Sequence, residues 1–110
     1  MIIGQLLLVM NNAAYYGPTM ARKTTNAIFT VEVSNFVGAL CVLSVAVEHR
    51  NQDDTSWSTA GTFSAIDADA TASSTISGLK ELIRFKYTFG AGSATDGAYV
   101  IAAAPQWLND

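Results

Sequence analysis

One histidine, one cysteine and nine acidic residues are the material this chain offers for catalysis or metal binding. His49 stands between Glu48 and Arg50, and a Ser-His-Asp triad needs such an imidazole beside a nucleophile presented on a strained turn. No Gly-x-Ser-x-Gly elbow exists to present one, so His49 reads as a hydrogen-bonding residue at a strand end. Asp53-Asp54 and Asp67-x-Asp69 are the acidic pairs a calcium ion would use, but neither has the spacing or closing Glu of an EF-hand. They read as turn residues whose carboxylates accept backbone N–H groups. A tetrahedral zinc site cannot be drawn from one Cys and one His. Gly90-x-Gly92 lacks the lysine of a phosphate loop and is flanked by strand patterns, so it reads as a hairpin loop. Cys41 lies in an apolar run with no second cysteine to pair with, and reads as a small buried hydrophobe compatible with a reducing cytoplasm. The expectation is a protein that is not an enzyme, with no catalytic, cofactor or metal site.

Trp57, Trp107, Tyr15 and Tyr16 are the side chains on which a sugar ring would stack, although aromatic residues in strands most often belong to a core. A second set that needs a destination is the opening run Ile2, Ile3, Leu6, Leu7, Leu8 and Val9. Burial of side chains this large contributes roughly 1.5 to 3 kcal/mol each. Either this run is the first strand of the domain, or it is an arm that crosses to a neighbouring subunit by strand addition or in a groove.

The elements that would position these residues follow from period-2 patterning. Residues 11–26 carry turn chemistry and read as a long loop holding Tyr15 and Tyr16. Phe29, Val31 and Val33 then alternate with Thr30, Glu32 and Ser34, a half-buried strand. In residues 39–50 the odd positions Cys41, Leu43, Val45 and Val47 are apolar, and a polar turn at 51–56 leads to a strand at 57–64, making a hairpin. A Thr/Ser-rich strand spans 71–76, and Ile83, Phe85, Tyr87 and Phe89 alternate with Leu82, Arg84, Lys86 and Thr88 in the clearest strand of all. Residues 98–104 form a last strand that Pro105 ends, and only residues 78–84 leave room for a helical turn. Six to eight short strands without 3.6-residue periodicity predict an all-β antiparallel sandwich or jelly roll with an extended N-terminal arm. Residues 1–27 are the arm or first strand plus loop, and residues 28–110 the sandwich.

Length and composition set the outer limits. A chain of 110 residues fits one domain. Charged residues are 14 % of the chain, about half the usual share, so much of the surface must be neutral and offers little electrostatic resistance to association. Six Lys and Arg against a net charge of -3 give no footprint for nucleic acid. The apolar opening segment is far shorter than the roughly 20 residues of a spanning helix and lacks the basic start of a signal peptide, so no membrane partner is expected.

From residue 31 to 107, the runs V-E-V-S-N-F, V-A-V-E-H-R with D-D-T-S-W, I-S-G-L-K-E-L-I-R-F-K and A-P-Q-W together resemble a pattern seen in small structural proteins of tailed bacteriophages, such as head decoration or cement proteins. The resemblance implies a virion location on the capsid surface, synthesis in the host cytoplasm, the major capsid protein as partner and a homotrimer. It also implies contacts through Ile2, Ile3, Leu6, Leu7, Leu8, Val9, Tyr15, Tyr16, Trp107 and Leu108. A phage tail or adaptor component and a carbohydrate-binding module are the alternatives.

Overall fold

The computed structural model describes residues 14–38, 41–90 and 97–109 in full, and residues 2–9 as backbone. Ten strands run through these residues: β1 (Ile2–Val9), β2 (Ala14–Tyr16), β3 (Met20–Ala21), β4 (Ala27–Val37), β5 (Val42–Arg50), β6 (Ser58–Thr62), β7 (Ala70–Ile76), β8 (Leu82–Gly90), β9 (Gly97–Ala103) and β10 (Gln106–Trp107). They form two antiparallel sheets packed face to face, a β-sandwich. No helix occurs among the described residues, and the Gly78 position expected to open a helical turn instead has φ +69° in the bend before β8.

Two of the strands are interrupted. β2 and β3 both pair with β8, Tyr16 opposite Lys86 and Met20 opposite Ile83, so Gly17 to Thr19 break a single edge strand. β9 and β10 both run beside β4, with Ala104 and Pro105 between them. The first sheet is therefore ordered β1, β9 with β10, β4, β7, and the second β2 with β3, β8, β5, β6. Apart from the β5–β6 hairpin and these interruptions, each successive strand lies in the opposite sheet.

The alternation read from sequence explains the core. Phe29, Val31 and Val33 of β4, Leu43, Val45 and Val47 of β5, Ile83, Phe85, Tyr87 and Phe89 of β8, and Ala98, Val100 and Ala102 of β9 are all buried. Side chains of one strand alternate between faces, so these odd or even sets meet between the sheets. Phe85 ties them together, edge-on to Phe29 across the gap and stacked with Tyr87 along its own strand. Cys41, at 2 % exposure, fills this core as a small hydrophobe.

One open alternative closes and two expectations change. The opening run pairs along β9, with Leu7 opposite Val100 and Leu8 opposite Tyr99, as the edge strand of the chain's own sheet and not as a projecting arm. The 11–26 segment is not wholly a loop: Tyr15 lies opposite Tyr87 in β2, a strand too short to leave a periodic signal beside Gly17-Pro18. Pro105, which cannot donate to a ladder, ends β9 but not the pairing, because Gln106 and Trp107 rejoin β4 opposite Ile28 and Ala27.

Candidate functional site

Three of the residues weighed for chemistry, His49, Asp54 and Asp69, hold backbone N–H groups. His49 Nδ1 accepts the Lys80 N–H at 3.2 Å, a bond that requires an unprotonated nitrogen. Partial burial and the nearby Lys80 charge hold its pKa below the ordinary value, with Asp54 pulling the other way. Asp54 accepts the Asn51 N–H at 2.8 Å and closes the β5–β6 turn, while Asp69 accepts the Phe36 N–H at 2.8 Å beside β4. Among the described residues, no group of three or more His, Cys, Asp or Glu is arranged to hold a metal ion. Gly90 ends β8, and Gly92 lies outside the described residues.

The same end of the sandwich binds its own charges. Arg50 donates to the carbonyls of Asn51, Gln52 and Asp54, and Lys80 lies 3.9 Å from the Asp54 carboxylate. Arg22 donates to the Leu79 carbonyl, and Glu81 accepts the Gln52 N–H at 3.0 Å. Arg22, Arg50 and Lys80 are thus spent on turn carbonyls and a carboxylate.

On the outer face of the second sheet stands a cluster that sequence reasoning did not assemble. Glu48 of β5 lies opposite Arg84 of β8. Its Oε1 accepts from Arg84 Nε at 2.9 Å and lies 2.8 Å from Nη2. The Arg84 guanidinium carbon sits 4.0 Å from the Tyr16 ring centroid and 4.3 Å from that of Trp57, and the Arg50 guanidinium lies 5.1 Å from Trp57. A bulge makes this possible. Val47 pairs with Gly61 but Glu48 with Thr59, so Ala60 is an extra residue in β6. Because facing alternates residue by residue, the extra residue turns Thr59, and Trp57 two positions before it, onto the outer face; an unbulged strand would point Trp57 inward.

The predicted contact residues do not converge. Tyr16 is 49 % exposed on the second sheet, and Tyr15 packs inward against the core. Trp107 packs on the core from the first sheet, and Leu108 follows it with its N–H on the Asn26 carbonyl. Ile2, Ile3, Leu6, Leu7, Leu8 and Val9 form β1 on the far edge of that first sheet. Of the four aromatics suggested for sugar stacking, only Tyr16 and Trp57 share a face, and both rings are already covered by guanidinium groups.

The outer face of the first sheet is different in kind. Thr30, Ser34, Ser73, Thr71 and Thr75 make it rich in hydroxyls, with Thr30 Oγ1 2.9 Å from Ser73 Oγ. Ile28, Tyr99 and Ile101 lie half-buried on it, and Glu32 is its one charge among the described side chains. No family model matches the chain, and no curated protein is significantly similar to it.

Proposed function

We propose that the protein is a structural subunit of a virion, a decoration protein that binds the outside of an assembled phage head and holds it together. The observation that carries the reading is the first sheet. Its outer face bears a single described charge, Glu32, and its free edge is β1, whose sequence IIGQLLLV has no charge and no proline. Edge strands that avoid association use charges, prolines, short length or bulges; of these β1 has only a register irregularity between Ile2 and Leu6, and Leu6 to Val9 run on in regular pairing. A surface of this kind suits permanent neighbours, here the major capsid protein and other copies of the chain in a homotrimer. The alternating strand order adds support for a jelly roll, since two interlocked Greek keys generate it. The motif resemblance supplies the phage setting.

Such a protein performs no reaction. It binds the closed shell in preference to dispersed subunits, and mass action then stabilises the assembled state. The test is co-sedimentation with purified heads lacking decoration, together with the temperature at which those heads release their DNA. The expected result is saturable binding and a raised release temperature. A chain that stays in the supernatant at micromolar concentration refutes the reading.

A further inference from the structure

Along the outer face of the second sheet runs a trough that the proposed assembly role does not use. Its floor is central strand β5, where Ser44 and Ala46 are small. One wall is Thr59 and Thr62 from the bulged strand β6, and the other is Lys86 and Thr88 from β8. Register explains the shape: Ala46 lies opposite both Lys86 and Thr62, so a short side chain is flanked by longer ones on either side. Beyond Ala46 on β5 and Lys86 on β8 the next outward residues are Glu48 and Arg84, which stand at this end with Trp57. The hollow measures about 280 Å³.

Lys86 is what makes the trough chemically specific. Five cations of the chain are half-buried, and four are engaged: Arg22 by the Leu79 carbonyl, Arg50 by turn carbonyls, Lys80 by Asp54 and Arg84 by Glu48. Of these five, Lys86 is the one with no hydrogen bond or ion pair among the described residues. Glu48, two positions along β5 from Ala46, is already paired with Arg84 and does not neutralise it. Lys86 is a half-buried residue that lines the same hollow as the hydroxyls of Ser44, Thr59, Thr62 and Thr88, and its single charge leaves a place for one anionic oxygen and for little more charge than that.

We propose that this trough binds a small acidic saccharide, a sugar ring carrying one carboxylate. The carboxylate meets Lys86. The ring hydroxyls exchange hydrogen bonds with Ser44, Thr59, Thr62 and Thr88, each able to donate and to accept. The apolar ring face lies on Ala46. Phosphate monoesters are a poorer match, because they carry about -1.5 to -2 charges at neutral pH and Lys86 brings a single positive charge to the trough. The volume lies just below the usual 300 to 1,000 Å³ of small-molecule sites, which suits one sugar unit better than a long chain.

The experiment is a titration of the full chain with glucuronic acid, followed by amide ¹H–¹⁵N shifts. Glucose, which has a neutral hydroxymethyl group in place of the carboxylate, and inorganic phosphate serve as comparisons. The expected result is saturable shifts at Ser44, Thr59, Thr62, Lys86 and Thr88 with millimolar affinity, at least tenfold weaker binding of glucose, and at least tenfold weaker binding of glucuronic acid to a folded Lys86→Gln variant. Any of three outcomes overturns the proposal: no saturable shift at these residues, equal response to glucose and glucuronic acid, or phosphate binding as tightly as the sugar acid. If Lys86→Gln loses the wild-type spectrum, Lys86→Arg takes its place and is expected to retain binding within about threefold; loss of binding in that folded variant would also overturn it.

Discussion

Replacing Arg84 with Met keeps the length and apolar stem of the side chain while removing the guanidinium from Glu48, Tyr16 and Trp57. The carboxylate left behind sits on a side chain only 12 % exposed, so water replaces the lost donors incompletely. A stranded, partly buried charged acceptor costs about 1 to 3 kcal/mol. Two cation–π contacts at a half-exposed site add about 0.5 to 1 kcal/mol each. The expected loss is therefore about 2 to 5 kcal/mol, or a melting temperature lower by about 8 to 20 °C at about 4 °C per kcal/mol. Glu48→Gln in the Arg84→Met background removes the stranded charge and should restore part of the loss. A double-mutant cycle by urea denaturation should thus return a coupling of at least about 1 kcal/mol. If the two single changes add to within about 0.3 kcal/mol, the pair contributes nothing specific and the cluster is only surface packing.

Three further outcomes follow from other parts of the structure. A Cβ added at Gly61 would lie 2.8 Å from both Cγ1 and Cδ1 of buried Ile76, so Gly61→Ala should cost about 1 to 3 kcal/mol by overpacking, measured as a lower urea midpoint with unchanged slope. Asn35 adopts φ +52° at the irregularity where β4 pairs with β9; Asn35→Val should destabilise by about 1 to 3 kcal/mol in thermal melts, and Asn35→Gly by much less. His49 has a native pKa below its ordinary 6.5, so below that value the unfolded chain takes up a proton that the native state resists. Stability should fall as pH drops from 6.5 through the lowered native value and then level off. His49→Gln should lose that pH-dependent step in urea titrations between pH 7.5 and 5, and an unchanged profile would contradict it.

The inward faces of β4, β5 and β8 were legible because apolar residues at every second position of Phe29–Val33, Cys41–Val47 and Ile83–Phe89 leave one reading. The Glu48–Arg84 pair was not legible. Both residues were visible as polar members of alternating strands, but their meeting depends on β5 pairing with β8 in one register, across 36 residues of chain. Trp57 was harder still, because its facing depends on the single extra residue Ala60, which periodicity in a five-residue strand cannot reveal. The opening run was ambiguous for a different reason. Near-continuous apolar character fits a strand covered on both sides and an arm equally well, and only the pairing of Leu6 to Val9 with Ala98 to Ile101 distinguishes them.

That last pairing also governs when the protein can form. β1 emerges from the ribosome before its neighbour β9, which lies about 90 residues later, and among the described strands the alternation between sheets leaves only the β5–β6 hairpin as a local pairing. Closing such long loops before any contact rewards them slows folding into the range of milliseconds to seconds. During synthesis, at roughly 5 to 20 residues per second, an uncharged and largely apolar segment therefore waits several seconds without its native partner. A chaperone that holds residues 2–9 until β9 has been made would raise the yield of folded chain, and a circular permutant that links the tail after β10 to β1, bringing β9 and β1 close in sequence, would fold faster with the same sandwich.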